Sequence, residues 1–359
     1  MNDLKVGVIG VGALGRHHAR ILAGIEGVNL IGVADSSETR GREAAESWGC
    51  KWYADYREML PHVDAVSIAV PTFAHLDVAK ECVAHHLPMM MEKPLAGNVN
   101  DARQIAELAD EKGITLQVGH VERFNPATLA AEPLCQNPKY IKSERLSSFS
   151  FRSTDISIVH DLMIHDLDLI LSLVQSELKN VQAFGISLFG KQEDAVQARL
   201  EFENGCIADV SASRINPTAG RAMQVWSESG CTTIDFTTRE VKQYSPGAEL
   251  LAGESPVELA FQSGADIAQL RDDVFGRFIT VTDADVSDDD ALTAELTHFV
   301  KCVKTNSTPL VNGWTAVAAL EIADEIQKAV ASHVWGSGPQ SLMGPRILKQ
   351  NHDDQQKAA

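Results

Sequence analysis

The chain has 359 residues, 44% hydrophobic and 22% charged, which is typical of a globular protein long enough for two domains with separate cores. Its net charge of −18 argues against a general binder of nucleic acid or of anionic membranes, although a local cluster of arginines can still hold a small anion. No apolar run approaches the roughly 20 residues that span a bilayer, and MNDLKVGVIG is not a secretory signal, so we expect a cytoplasmic protein that does not bind membranes.

The first 120 residues alternate strand and helix signals. Strands are predicted over 5–10, 29–35, 65–70, 88–92 and 114–119, and helices near 15–25, 37–48, 73–86 and 99–112. The strand segments are nearly continuous apolar runs, as expected for parallel strands covered by helices on both faces. This pattern predicts an α/β fold, with a doubly wound parallel sheet in a Rossmann domain over residues 1–122.

A glycine-rich turn follows the first strand. The run Gly10-Val11-Gly12-Ala13-Leu14-Gly15 fits G-x-G-x-x-G between a predicted strand and a predicted helix, the context in which this pattern indicates dinucleotide binding. Gly10 allows the tight turn, Gly12 lets the backbone approach a pyrophosphate, and Gly15 lets helix and strand pack closely. We therefore expect the five turn residues Gly10, Gly12, Ala13, Leu14 and Gly15 to bind the cofactor.

Asp35 ends the second predicted strand and bears on the choice of cofactor. A carboxylate at this position accepts hydrogen bonds from the adenosine ribose and repels a 2′-phosphate, which favours NAD over NADP. Arg40 leaves NADP open, because its guanidinium could lie near a phosphate at the same place.

Two further loops follow predicted strands of this domain. Pro71, Thr72 and His75 follow the third strand, and Glu92, Lys93 and Pro94 follow the fourth. The carboxyl ends of parallel strands face the ligand crevice. We therefore expect Lys93 to point at the reactive end of the cofactor and Pro71, Thr72, His75 and Glu92 to contact the cofactor.

After about residue 122 the pattern changes. Strands are predicted over 181–190, 195–205, 206–215, 221–229 and 232–236, with hairpin turns at 204–205 and 229–230 and final helices over 290–305 and 314–332. This predicts an α+β domain over 123–335, with a large, mainly antiparallel open sheet, and a polar tail over 336–359. The last aspartates of the acidic stretch 283–291 are expected to cap the next helix, and the six scattered cysteines to be buried, reduced thiols.

The segment HDLMIHDLDLIL, 160–171, predicts an unusual helix. It has no Lys, Arg or Glu, and at about 100° per residue Asp161, His165 and Asp168 share one narrow stripe while apolar residues cover most of the rest. We expect a helix buried on most sides, whose Asp161 and His165 line a site. A metal site or a satisfied buried Asp–His pair are the alternatives, and Asp166, on the apolar side, has no role in this interpretation.

Together these motifs resemble one family, the Gfo/Idh/MocA oxidoreductases, over about residues 4–335. They are GVGALGRHHA with His18, the Pro71-Thr72 loop with His75, Glu92-Lys93-Pro94, the Asp-x-x-x-His-Asp run at 161–166, and FENG at 202–205. The resemblance implies oxidation of a sugar or cyclitol hydroxyl with a nicotinamide cofactor, with Lys93, Asp161 and His165 around the reacting carbon. It also implies a homodimer or homotetramer and no metal, because the cofactor carries the chemistry.

The resemblance suggests roles for these side chains. The intrinsic pKa of a histidine lies near neutrality, so His165 suits a general base, and Lys93 would donate to the reacting oxygen. Which of the two takes the proton stays open.

A narrower resemblance concerns the substrate. The segments 118–127, 151–156, 161–174 and 199–215 look like bacterial UDP-N-acetylglucosamine 3-dehydrogenases, whose 3-keto product a partner aminotransferase converts to a 3-amino sugar for lipid A. A UDP-sugar needs cationic partners, for which Arg152 is the first candidate, followed by Arg123, Arg145, Arg214 and Arg221. A dehydrogenase of a free sugar or cyclitol such as inositol, and a non-catalytic NAD-binding regulator, are the alternatives.

Overall fold

The computed structural model describes residues 3–151, 156–189 and 192–333. The chain divides into two compact units. The first contains the residues up to Phe124 together with Asp289–Asp324, and the second contains Asn125–Asp288 and the chain from Glu325 onward. Within the described ranges, none of the helices combines the length and apolar character that a membrane crossing needs.

A six-stranded parallel sheet forms the centre of the first unit. Its strands are β1 (Leu4–Ile9), β2 (Val28–Ala34), β3 (Lys51–Tyr53), β4 (Ala65–Ile68), β5 (Met89–Glu92) and β6 (Leu116–Gly119). The strand order is β3-β2-β1-β4-β5-β6, so the direction of winding reverses between β1 and β4. The predicted doubly wound sheet is confirmed, and the ligand crevice of such sheets opens beyond the carboxyl ends of the strands at this reversal.

Four helices cover this sheet: α1 (Gly15–Leu22), α2 (Glu38–Trp48), α3 (His75–Ala84) and α4 (Val99–Glu111). Short polar side chains start two of them. Ser37 caps α2, and Asn98 caps α4 by accepting a hydrogen bond from Asp101 N at 2.9 Å. The helices place the loops after β1, β4 and β5 at one edge of the sheet.

The second unit contains an eight-stranded sheet and several shorter helices. In chain order its elements are α5 (Pro126–Ala131), β7 (Tyr140–Leu146), α6 (Ile164–Val174), β8 (Leu178–Ile186), β9 (Ala195–Phe202), β10 (Ile207–Ser213), β11 (Gly220–Ser227), β12 (Gly230–Asp235), β13 (Glu240–Pro246), α7 (Ala248–Leu251), α8 (Pro256–Ala260), α9 (Ile267–Asp273) and β14 (Ile279–Asp283). The strand order is β14-β13-β12-β11-β7-β10-β9-β8, antiparallel at every pairing except β7 with β10. The mainly antiparallel sheet is therefore confirmed.

One face of this sheet is covered and the other is open. Along β9, Val196, Ala198 and Leu200 are buried, whereas Gln197 and Arg199 between them are exposed. Such alternation is typical of an antiparallel sheet that packs on a core with one face only.

The final helices are α10 (Ala291–Thr305) and α11 (Gly313–Ser332). Asp290 caps α10 by accepting from Thr293 N at 2.9 Å, as the acidic stretch predicted. Leu296 and Phe299 of α10 belong to the same core as Val6 and Val8 of β1. The structure thus differs from the predicted linear division, because the segment Asp289–Asp324 returns to complete the first unit. The predicted tail over 336–359 lies outside the described residues.

All six cysteines are free thiols, and five of them are buried; Cys50 is half-buried. Burial raises the pKa of Cys82 to about 12 and that of Cys135 to about 11. At neutral pH these thiols stay protonated and unreactive, as predicted.

Candidate active site

The glycine turn after β1 has the geometry that a dinucleotide needs. Gly10 has a φ of +87°, and a Cβ there would lie 2.7 Å from the Ala69 carbonyl oxygen. A Cβ on Gly15 would collide with the Gly10 carbonyl, whereas no protein atom lies within 4 Å of a Cβ built on Gly12. Gly12 therefore leaves open space before the first turn of α1, where helix N–H groups favour a pyrophosphate. Ala13 and Leu14 are exposed in the same turn.

Asp35 lies at the end of β2 with its carboxylate almost fully buried. Its Oδ2 accepts from Val11 N at 3.0 Å, and its Oδ1 accepts from Ser37 N at 2.8 Å and from Arg40 Nη2 at 3.0 Å. Burial alone would raise the pKa of Asp35, but the two backbone donors and the Arg40 guanidinium outweigh it and hold this pKa below its usual value. The charged carboxylate suits the ribose end of NAD, and Arg40 partly neutralises it.

His18, Ser67 and Glu92 form a row of buried side chains that ends at the Lys93 backbone. The His18 ring on α1 is fully buried, with Nδ1 2.7 Å from Ser67 Oγ on β4 and Nε2 2.9 Å from Glu92 Oε1 on β5. The other Glu92 oxygen, Oε2, accepts a hydrogen bond from Lys93 N at 3.3 Å. The Glu92 carboxylate thus lies against His18 and the Lys93 backbone, and Lys93 itself is half-buried. The expected contact of Glu92 with the cofactor stays a prediction.

His75 connects two loops beneath the surface. Its Nδ1 and Nε2 each lie 3.1 Å from a backbone carbonyl oxygen, those of Leu95 and Val70 respectively. The ring is 1% exposed, and burial lowers the pKa of His75. This histidine therefore holds the loops after β4 and β5 together, while Pro71 is exposed and Thr72 is half-exposed. Contact between these three residues and a cofactor stays a prediction.

The Asp–His helix departs from the predicted regular α-helix. Val159–Met163 form a π-helical turn before α6 begins at Ile164, and the Ser157 carbonyl accepts from both His160 N and Asp161 N at 3.1 Å. The constant rotation of 100° per residue is therefore wrong for this segment, because a π turn is wider than an α turn. Asp161 and His165 are half-buried, whereas Asp168 is 2% exposed, so the predicted stripe does not form one accessible line.

The structure explains Asp166, for which the sequence suggested no role. Arg145 on β7 donates to it through Nε, 3.2 Å from both carboxylate oxygens, and through Nη2, 2.7 Å from Oδ1. Both side chains are buried, so this bidentate pair joins α6 to the sheet. The only sequence signal was an aspartate on the apolar side of a helix.

The arginine candidates for an anionic substrate occupy different environments. Arg145 pairs with Asp166, and Arg214 donates through Nε to Asp194 Oδ1 at 2.9 Å, with both partners buried. These two arginines therefore neutralise buried aspartates of their own unit. Arg123 is half-buried in the 3₁₀ turn after β6, and Arg221 is exposed. Arg152, the first candidate, lies outside the described residues.

No group of three His, Cys, Asp or Glu side chains in the described part of the chain is arranged to hold a metal ion.

Comparisons with known proteins agree with this arrangement. Residues 4–120 match the model of the Gfo/Idh/MocA oxidoreductase family with an NAD-binding Rossmann fold, and residues 137–233 match the Gfo/Idh/MocA carboxyl-terminal domain. The chain is 31% identical to UDP-N-acetylglucosamine 3-dehydrogenase of Acidithiobacillus ferrooxidans, over 92% of this chain and 98% of the relative.

Two more comparisons concern the substrate. The chain is 27% identical to the NAD⁺-dependent scyllo-inositol 2-dehydrogenase of Bacillus subtilis, over 89% of this chain and 92% of the relative. The solved structure of the Acidithiobacillus ferrooxidans UDP-N-acetylglucosamine 3-dehydrogenase superposes with a TM-score of 0.79 and 29% identity, covering 92% of this chain and 98% of the other.

Proposed function

The chain belongs to the Gfo/Idh/MocA family of NAD-binding oxidoreductases, and from that premise we propose that it oxidises the 3-hydroxyl of UDP-N-acetylglucosamine to the 3-keto sugar nucleotide. The observation that carries this proposal is the 31% identity to an enzyme of that name over 98% of the relative's length. The homologues are dehydrogenases of sugars or cyclitols, so the reaction class is shared even where the substrate differs.

The Gly10–Gly15 turn and Asp35 would hold NAD, which would supply the hydride acceptor when bound. The protein must move the hydroxyl proton and stabilise the charge that develops on oxygen. One of His165 and Lys93 takes the proton as a general base, and the other donates a hydrogen bond to the reacting oxygen. Asp161 binds a neighbouring sugar hydroxyl or orients the imidazole. The residues around Lys93 fit this role because its backbone is fixed by Glu92.

The diphosphate of the substrate carries about two negative charges, which an arginine is needed to bind. Arg145 and Arg214 already pair with buried aspartates, which makes them weak candidates. Arg152 stays the first candidate from the sequence, and Arg123 the next. Arg152→Ala is expected to raise KM for the UDP-sugar about 10-fold and to lower kcat much less, since the contact is made equally in the ground and transition states. An unchanged KM would exclude Arg152 and leave Arg123, whose alanine variant should be measured in parallel.

The test is a substrate screen with the purified protein. NADH formation is followed with UDP-N-acetylglucosamine, UDP-N-acetylgalactosamine, free N-acetylglucosamine and the inositols, and UDP is tested for thermal protection. Oxidation of UDP-N-acetylglucosamine at C3, with protection by UDP, supports the proposal. Oxidation of inositol alone would make the protein a cyclitol dehydrogenase, and NAD binding without turnover on any sugar would indicate a regulator.

The proposed product also suggests a context. A 3-keto sugar nucleotide is a substrate for an aminotransferase, which is the proposed pathway partner. We propose that the enzyme acts in the cytoplasm as a homodimer or homotetramer.

A further inference from the structure

His18 occupies a position that the proposed chemistry does not yet use. It lies on the first helix after the glycine turn and is 0% exposed. Its two ring nitrogens reach different strands, Ser67 on β4 at 2.7 Å and Glu92 on β5 at 2.9 Å. A fully buried imidazole with both nitrogens in polar contact has one orientation available, so it fixes what it touches.

The Glu92 carboxylate links the fixed His18 ring to the backbone of Lys93. Its Oε1 faces His18, and its Oε2 accepts from Lys93 N at 3.3 Å. On the far side the carboxylate packs against β6, where a Cβ on Gly119 would lie 3.1 Å from Oε2. The Glu92 side chain is therefore confined between His18 and the β6 backbone, and the Lys93 backbone is bonded to it.

We propose that His18 is a positioning residue for Lys93, acting through the Glu92 carboxylate, with Ser67 fixing the imidazole. This inference rests on the proposed function in one respect, namely that Lys93 takes part in turnover. Supporting contacts of this kind typically change activity 10- to 100-fold when removed, because displacement of a reacting group by about 1 Å is costly.

Ser67 suits the task of orienting the His18 imidazole because its hydroxyl can either donate or accept a hydrogen bond. Ser67 Oγ can pair with Nδ1 at 2.7 Å either as donor or as acceptor, so the ring keeps the orientation in which Nε2 lies 2.9 Å from Glu92 Oε1. The orientation of the imidazole, rather than its charge, is what Ser67 preserves.

Two substitutions separate the contacts of His18. The side-chain amide of glutamine reaches about as far as Nε2, whereas that of asparagine reaches about as far as Nδ1. His18→Gln keeps a donor to Glu92 and should retain kcat within about 3-fold. His18→Asn keeps the contact with Ser67 alone and should lower kcat at least about 10-fold, with KM for NAD within about 3-fold of the unmodified enzyme.

The controls test for a merely structural effect. His62→Asn changes an exposed histidine of the same unit and should leave kcat unchanged. Melting temperatures are recorded for every variant, and equal losses in His18→Asn and His18→Gln, or losses of kcat that simply follow the melting temperature, would overturn the proposal.

Ser67→Ala provides a second route if the His18 variants do not fold. It removes one small hydroxyl and should lower kcat about 3- to 10-fold with the NAD KM unchanged; an unaltered kcat would contradict the proposal. Lys93→Ala distinguishes a failure of the proposed role of Lys93 in turnover from a failure of the proposed role of His18. Full activity of that variant would refute the role of Lys93, whereas an inactive Lys93→Ala beside a fully active His18→Asn would refute only the role of His18.

Discussion

Lys93 and His165 share a feature at the scale of single residues: each is next in sequence to a buried carboxylate with a buried basic partner. Glu92 lies 2.9 Å from His18, and Asp166 is held by Arg145 at 2.7 Å. Both carboxylates fix the backbone from which the neighbouring side chain extends. A reactive side chain on a fixed backbone loses less freedom when it engages a substrate, which lowers the barrier to reaction.

The first prediction concerns these two side chains. Lys93→Ala and His165→Ala should each lower kcat by at least about 100-fold, the usual scale for loss of a general acid or base. NAD binding, followed by protein fluorescence, should be retained because neither residue belongs to the glycine turn. Near-normal turnover in either variant would remove that residue from the mechanism.

Cofactor preference depends on Asp35 and Arg40. The Asp35 carboxylate should repel the 2′-phosphate of NADP, so Asp35→Ser should narrow the preference for NAD. Arg40 lies 3.0 Å from Asp35 Oδ1 and offsets part of this repulsion, so Arg40→Ala should widen the preference. The ratio of kcat/KM for the two cofactors measures both effects, and Arg42→Ala, an exposed arginine of the same helix, is the matched control.

The pH dependence of this preference depends on two charges, that of the Asp35 carboxylate and that of the 2′-phosphate of NADP. Because the folded-state pKa of Asp35 lies below the ordinary value of 3.8, the carboxylate stays charged throughout the neutral range. Because the pKa of Asp35 is lowered on folding, its carboxylate stabilises the folded state fully at any pH above 3.8. This contribution is lost only as the pH falls through the folded-state pKa. Between about pH 5 and 8 the NAD preference should therefore rise only as the 2′-phosphate of NADP loses its second proton, at about pH 6. Asp35→Ser should make this rise smaller, and an equal rise in both proteins would contradict the assignment to Asp35.

At the scale of elements, the parallel sheet and its glycine turn could be predicted because their signals are local. Apolar runs, the glycines and the residue at each strand end depend only on neighbours in sequence. The strand β7 was missed because Ser143 and Arg145 occupy its buried face and Lys142 and Glu144 its other face, so hydrophobic alternation is lost.

In the candidate site, too, only features that depend on neighbours in sequence could be predicted. Glu92 was correctly placed at the end of β5 and His75 after β4, but the buried contacts of Glu92 with His18 and of His75 with two carbonyls are tertiary and leave no pattern in sequence. The π turn at Val159–Met163 was also missed, because a regular helical period was assumed across it. Local chemistry could therefore be predicted, whereas partners far away in sequence could not.

The pair that joins α6 to β7 gives a prediction at this scale. Asp166→Asn leaves the Arg145 guanidinium buried with a neutral partner, which should cost about 3 kcal/mol of stability. Glu38→Gln breaks the exposed pair with Arg42 on α2, away from this sheet, and should hardly change the melting temperature. Thermal melting of both variants makes the comparison, and equal melting temperatures would mean that burial does not strengthen the Arg145–Asp166 pair.

At the scale of the whole molecule, the negative net charge affects how anionic ligands bind. With a net charge of −18, the chain repels anionic NAD and UDP-sugars at long range, so binding must depend on local donors such as the α1 N-terminus. Two of the buried arginines are already neutralised by aspartates. The presence of Leu296 and Phe299 in the core of the first unit also means that this unit is built from two segments that lie far apart in sequence.

The open face of the eight-stranded sheet carries the last prediction. On this face Trp226 of β11 is 47% exposed and is paired across the sheet with Tyr140 of β7. A large aromatic side chain on an open sheet is the kind of residue that anchors an interface between subunits. If this face forms the proposed homo-oligomer, Trp226→Asp should place a charge in a dehydrated contact and convert the oligomer to monomers. Light scattering after size-exclusion chromatography measures the mass. Trp314→Asp, which changes a tryptophan of similar exposure at the start of α11, should leave the oligomer intact, and an unchanged mass for Trp226→Asp would place the interface elsewhere.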